Sequence, residues 1–246
     1  MNEKKPNSKN AAPGSSDAWF EYVKEDFFPK HGTKVMVALV LIAAGVLLIS
    51  NKFKASAEES IAMAEELGKG LDYMYAGKND SALIAFEDAI RDGRLKGLPL
   101  AKAALLSGNI HLQNRNLGSA GILYGQAVAS AGKVELIVSA AQLGLAVVAM
   151  ERAAEDKDYS EAISLLNTFI NKYGKRTGDL ARRYAKTEPV DKVPNVPDAL
   201  WKLTLCYLEI GDKEKTVQTA ERLVKIYGDS PKAADASKLL VTLVGK

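Results

Sequence analysis

The chain has little of what chemistry at a metal or redox centre requires. Among its 246 residues there is one cysteine, Cys206, and there are two histidines, His31 and His111. That excludes an internal disulfide framework and a multi-cysteine zinc site, and it leaves too few imidazoles for a histidine-built metal centre. Neither sign of charge dominates. The 33 basic and 30 acidic residues sum to +3, so nothing in the charge balance draws the chain toward nucleic acid. Prolines number eight, aromatics make up 7% and hydrophobic residues 47%, which excludes collagen-like and wholly disordered classes and leaves material for one or two modest cores. A glycine-rich phosphate loop with its lysine, paired metal ligands and a nucleophile elbow are all missing. The residues support neither catalysis nor a cofactor. Cys206, between Leu205 and Tyr207, reads as a small core residue, and His111 as a packed one. Arg176, Arg182, Arg183 and Lys186 read as a solvated face, with binding to anionic lipid or to a partner as the alternative.

One long hydrophobic run is present. Val35 to Ile49 carries no charge, and ten of these fifteen residues are Val, Leu or Ile. Extended to Thr33–Phe53, a helix rises about 31 Å, enough for a hydrocarbon core of roughly 30 Å. Lys34 and Lys52 then lie where long side chains reach the headgroups. The expectation is one transmembrane helix over 33–53. A cleaved signal peptide is the main alternative, because Ala55-Ser56-Ala57 has the small-x-small pattern of a cleavage site. Six lysines in residues 1–34 against three in 51–69 favour a cytoplasmic N-terminus. Residues 1–16 read as a disordered tail. Residues 17–32 read as an amphipathic juxtamembrane helix, with Trp19, Phe20, Tyr22, Val23, Phe27 and Phe28 along one side. Docking of that aromatic side on a membrane partner is its alternative.

From Ala55 onward, Ala, Leu, Glu and Lys recur at helical spacing without strand-like alternation. Gly70, Tyr73, Gly77, Ala82, Phe86 and Ala89 have the spacing of a helix–turn–helix repeat. Gly108, Ala120, Tyr124 and Ala127 repeat it, with His111 and Arg115 in place of the tyrosine and the turn glycine. A third unit is carried by Tyr159, Ala162, Leu166 and Phe169, after a long first helix from Lys133 to Glu155 that leaves its register open. A fourth has Leu203, Tyr207, Gly211, Thr216, Ala220 and Leu223. Residues 175–198 read as an insertion between units three and four, and 231–246 as a capping helix.

These residues resemble the tetratricopeptide family over roughly residues 60–246. The first and fourth units carry the pattern best, and the third departs most, with Lys157 at the usual turn glycine. The implied fold is all-α: an N-terminal transmembrane helix followed by a tetratricopeptide-like helical solenoid over 55–246. The layout is also similar to that of the ancillary subunit family of the bacterial SecYEG translocon. That resemblance implies a single-pass protein of the bacterial inner membrane with its C-terminal domain in the periplasm, handling exported proteins or meeting the translocon.

Solenoids of this family bind extended segments or helices on the face made by each unit's first helix. The repeat register puts Leu67, Leu71, Met74 and Tyr75 there in the first unit, Leu105, Asn109, Leu112 and Gln113 in the second, and Trp201, Leu205, Leu208 and Glu209 in the fourth. A mostly apolar groove of this kind marks a partner site. Two other occupants stay open: the insertion, through Leu180, Tyr184, Val190, Val193 and Val196, and a second copy in a homodimer. Leu67 and Leu71 stand where a clamp for acidic C-terminal peptides needs charged or amide groups, which argues against that ligand. The reading is a membrane-anchored scaffold for a protein partner, with no nucleic acid. Its alternatives are a self-associating envelope component and a cytoplasm-facing adaptor of inverted topology.

Overall fold

The computed structural model describes residues 55–244. The expected tail over 1–16, juxtamembrane helix over 17–32 and membrane helix over 33–53 lie outside them. The described residues form helices and no strand. Helix α1 runs over 55–75. It is followed by α2 (Asn79–Arg91), α3 (Gly97–Gln113), α4 (Leu117–Ser130), α5 (Glu135–Asp156) and α6 (Ser160–Tyr173). After these come α7 (Leu180–Tyr184), α8 (Val196–Glu209), α9 (Lys213–Ile226) and α10 (Pro231–Val244). Consecutive long helices from α2 onward pack on each other, α7 standing aside, and α3, α5, α8 and α10 also pack in series. This is the connectivity of an all-helical tetratricopeptide-like solenoid, in which each pair buries a face against the next.

The turns inside the pairs are alike in their backbone. Gly77, Arg115 and Gly211 adopt left-handed φ of 71°, 58° and 74°. In each, the following N–H closes on a carbonyl five residues back: Lys78 on Tyr73, Asn116 on His111 and Asp212 on Tyr207. That satisfies carbonyls which a helix C-terminus leaves open. Lys157 has φ 62° and donates to the Ala153 carbonyl at 2.7 Å. That bond spans four residues, unlike the five-residue closures of the other turns, and α6 begins three residues on rather than two; the shared left-handed φ is what aligns Lys157 with Gly77.

Small residues let the paired helices approach. A Cβ on Gly70 would run into the Phe86 ring, and one on Gly108 would lie 2.9 Å from Tyr124. Phe86 and Tyr124 are buried. A large cluster gathers Leu166, Phe169, Tyr173, Leu200 and Leu223 around units three and four. Smaller ones surround Phe86 in the first unit and Tyr124 in the second. Within α5, Glu135–Ala154 is long and apolar enough to cross a membrane, with mean hydropathy 1.5. Here it is a core helix, in contact with α3, α4, α6 and α8.

The segment between α6 and α8 runs to the end of α9. Asp191 Oδ1 accepts from the N–H groups of Lys175 and Arg176, at 2.6 and 2.9 Å. Glu188 Oε1 accepts from those of Thr177 and Gly178. Arg183 donates to the Ile226 carbonyl, and Gly178 packs on Ile226. Val193 and Val196 join the core, whereas Tyr184 and Val190 remain 87% and 79% exposed. These contacts take the segment to the loop after α9 rather than across the row of first helices.

Candidate protein-binding groove

The first helices α1, α3, α5 and α8 carry the row that the repeat register picks out. In the first unit Leu67 is turned largely into the core, Leu71 and Met74 are half-buried against it, and Tyr75 is 87% exposed. In the second, Leu105 and Leu112 are half-buried, while Asn109 and Gln113 are exposed. In the fourth, Trp201 and Leu205 are half-buried, with Leu208 and Glu209 exposed. Leu67, Leu71 and Leu105 meet at a cleft of about 220 Å³, whose remaining lining is Lys102, Leu106 and Ile137. The cleft thus draws on three successive first helices, with one lysine among aliphatic side chains.

The middle of the row was not legible in the sequence. With Lys157 as the turn residue, the third unit contributes Val147, Glu151 and Ala154. Glu151 Oε2 accepts from Arg115 Nη2 at 2.7 Å, an ion pair between the turn of the second unit and the first helix of the third. The repeat spacing sets Lys157 at the usual turn glycine but leaves the register open, because a lysine does not mark a left-handed turn as a glycine does. Lys102, Leu106 and Ile137 were missed for a related reason: they reach the cleft from α3 and α5 at positions off the register carried over from the first unit.

One side chain passes between two of these helices. Tyr124 lies against Gly108 of α3 and Gly144 of α5, and its hydroxyl donates to Asn109 Oδ1 at 2.8 Å. Burial pushes its phenol up to about 12, so it stays a neutral donor. Desolvation likewise raises the Cys206 thiol to about 11, which leaves it a core group rather than a nucleophile at neutral pH. His111 is buried, with Nε2 2.6 Å from Glu87 Oε1. No group of three or more metal-ligating side chains occurs among the described residues.

Two family models, both described as tetratricopeptide repeat, match residues 67–135 and 198–230. Both stretches are tetratricopeptide repeats. The third unit lies between them. A crystal structure of a tetratricopeptide repeat protein from Parabacteroides merdae is similar to this chain at 18% identity and a TM-score of 0.53. The match covers 75% of this chain but only 60% of that one, so the chain spans less than two thirds of its length. The likeness shows the fold. A thermophilic tetratricopeptide repeat protein of Thermus thermophilus matches at 17% identity and a TM-score of 0.48, over 75% of this chain and 84% of that one. No curated protein matches the chain. Tetratricopeptide repeats generally mediate protein–protein interaction and are typically non-enzymatic, and that coarse role is the one the tetratricopeptide units here support.

Proposed function

We propose that the protein is a membrane-anchored scaffold that holds a partner polypeptide along the row of first helices. The observation that carries this reading is the apolar cleft of Leu67, Leu71, Leu105, Leu106 and Ile137, open beside Lys102. Burying aliphatic surface there supplies affinity at about 25 cal/mol per Å², and the polar side chains Asn109, Gln113, Glu151 and Glu209 supply choice among partners. In this reading the apolar run 33–53 is the anchor, the lysine bias ahead of it favours a cytoplasmic N-terminus, and the similarity of layout supports repeats that face the periplasm of a bacterial inner membrane. Confinement to the bilayer raises the effective concentration toward neighbouring membrane proteins. The partner class is an exported protein or a component of the Sec translocon, which rests on the similarity of layout alone.

Photo-crosslinkable residues at Tyr75, Gln113 and Glu209, compared with Gln218 and Lys213 on α9, test the groove in intact membranes. Adducts with an envelope protein from the first three and none from the last two are expected. Equal adducts from both sets would remove the groove reading. Protease access to a C-terminal tag tests the topology. Cleavage only in spheroplasts supports the periplasmic side, protection until lysis supports the inverted adaptor, and a shortened soluble product means cleavage after Ala57.

A further inference from the structure

The second helices of the repeats differ in what they show to solvent. On α9 the exposed side chains include Lys213, Glu214, Gln218 and Lys225, and on α6 they include Glu161, Ser164, Thr168 and Lys172. Helix α4 has no charged residue at all, and its exposed positions are Gly118, Ile122, Gly125 and Ala129. Ile122 is 74% exposed. Beside it, where α4 and α6 stand apart over α5, lies a hollow of about 400 Å³. Ile122 itself lines it together with Gly118, Gly121, Val148 and Leu165, and its charged members are Glu161 and Arg152, whose Nη2 also donates to the Leu117 carbonyl at 3.3 Å. One continuous patch therefore holds an exposed isoleucine on the wall of a hollow large enough to take a second such side chain, and one charge of each sign.

We infer that this patch is the interface between two copies of the chain, related by a two-fold axis. An isologous contact needs a self-complementary surface. Here the axis sets Ile122 of each copy into the hollow of the other and brings each Arg152 opposite the Glu161 of its mate. Gly125 has the same use. Glycine inside a helix costs about 1 kcal/mol relative to alanine, and a Cβ there would meet nothing within 4 Å in its own chain. A second helix lying close over α4 is what would meet it. Helix α5 contributes Val148, Ala149 and Arg152 to the hollow, but none of the groove residues named above lines it, so a dimer built this way leaves the proposed groove open.

Disulfide trapping of the purified full chain in detergent micelles tests the inference. The native thiol stays out of the chemistry, because Cys206 is fully buried. Ile122→Cys should yield a covalent dimer at least 10-fold faster than Ser164→Cys, the exposed residue at the same repeat position on α6. In sedimentation, Ile122→Arg should leave a monomer that still unfolds cooperatively, with a melting temperature that no longer rises with protein concentration. Arg152→Glu and Glu161→Arg should each weaken the dimer, and together restore it. Equal trapping rates for Ile122→Cys and Ser164→Cys, a monomer at every concentration, or a dimer that survives Ile122→Arg would each overturn the inference. None of these outcomes bears on crosslinking from Tyr75, Gln113 and Glu209, so the two readings fail separately.

Discussion

Four residues turn the chain between paired helices, and two of them are not glycine. Gly77 and Gly211 adopt a left-handed backbone at no steric cost, whereas a side chain at Arg115 or Lys157 brings Cβ against the following carbonyl, a penalty of roughly 1–2 kcal/mol. Arg115 recovers a little through Glu151, but that pair is exposed and such pairs contribute less than about 1 kcal/mol. Lys157→Gly should therefore stabilise the domain by about 1 kcal/mol. For a repeat domain of this size that corresponds to a rise of about 2–4 °C in the thermal midpoint, measured by circular dichroism. Lys157→Ala should give no such rise, since its Cβ keeps the clash. A midpoint unchanged by glycine would mean that the added freedom of the unfolded chain cancels the relief.

Between elements, Tyr124 decides how closely α3 and α5 approach. A Cβ on Gly144 would sit 2.6 Å from Tyr124 Cζ, nearer than real contacts allow, and the ring is held on its other side by Gly108. Gly144→Ala should cost about 2 kcal/mol through overpacking, read from urea unfolding. The same change in a Tyr124→Leu background should cost far less, because the shorter side chain leaves room. Equal costs in both backgrounds would show that the ring is not the obstacle. The segment before α8 is pinned differently, by carboxylates. Burial raises the Glu188 carboxyl, but the N–H groups of Gly178 and Thr177 and the Thr177 hydroxyl outweigh it and hold it below the ordinary glutamate value. A depressed carboxylate contributes stability that is complete above its unfolded value, near 4.3, and is lost as pH falls through the folded one. Proteolysis within 175–195 should therefore speed up below about pH 4. Glu188→Gln should be cut readily at neutral pH as well, with a flatter pH profile. A wild-type profile equally flat would dissociate Glu188 from the holding of this segment.

Across the whole domain, legibility in the sequence followed how local each determinant is. Gly70 and Phe86, or Gly108 and Tyr124, lie within one helix pair, so their spacing alone betrayed the repeat and its all-α fold. The third unit hid its register because the mark of its turn is a dihedral angle at Lys157. The path of the insertion was not legible either, because Ile226, which receives Arg183 and Gly178, belongs to the following repeat. Stability should divide along the same lines. In a solenoid each unit leans on its neighbours, so the loss of an end is felt most by the unit beside it. Ala233 and Ala236 of α10 are buried in the core that also holds Leu200 and Leu223, with Leu240 packed on it, and α10 touches α8 and α9 alone among the described helices. A chain ending at Ser230 should therefore exchange the amide hydrogens of α8 and α9 on the order of 100-fold faster, while those of α2 and α3 keep their rates. Equal acceleration in all four helices would instead make the repeats a single cooperative unit, with the contacts of α5 to α3, α4, α6 and α8 as the coupling that carries the loss from one end to the other.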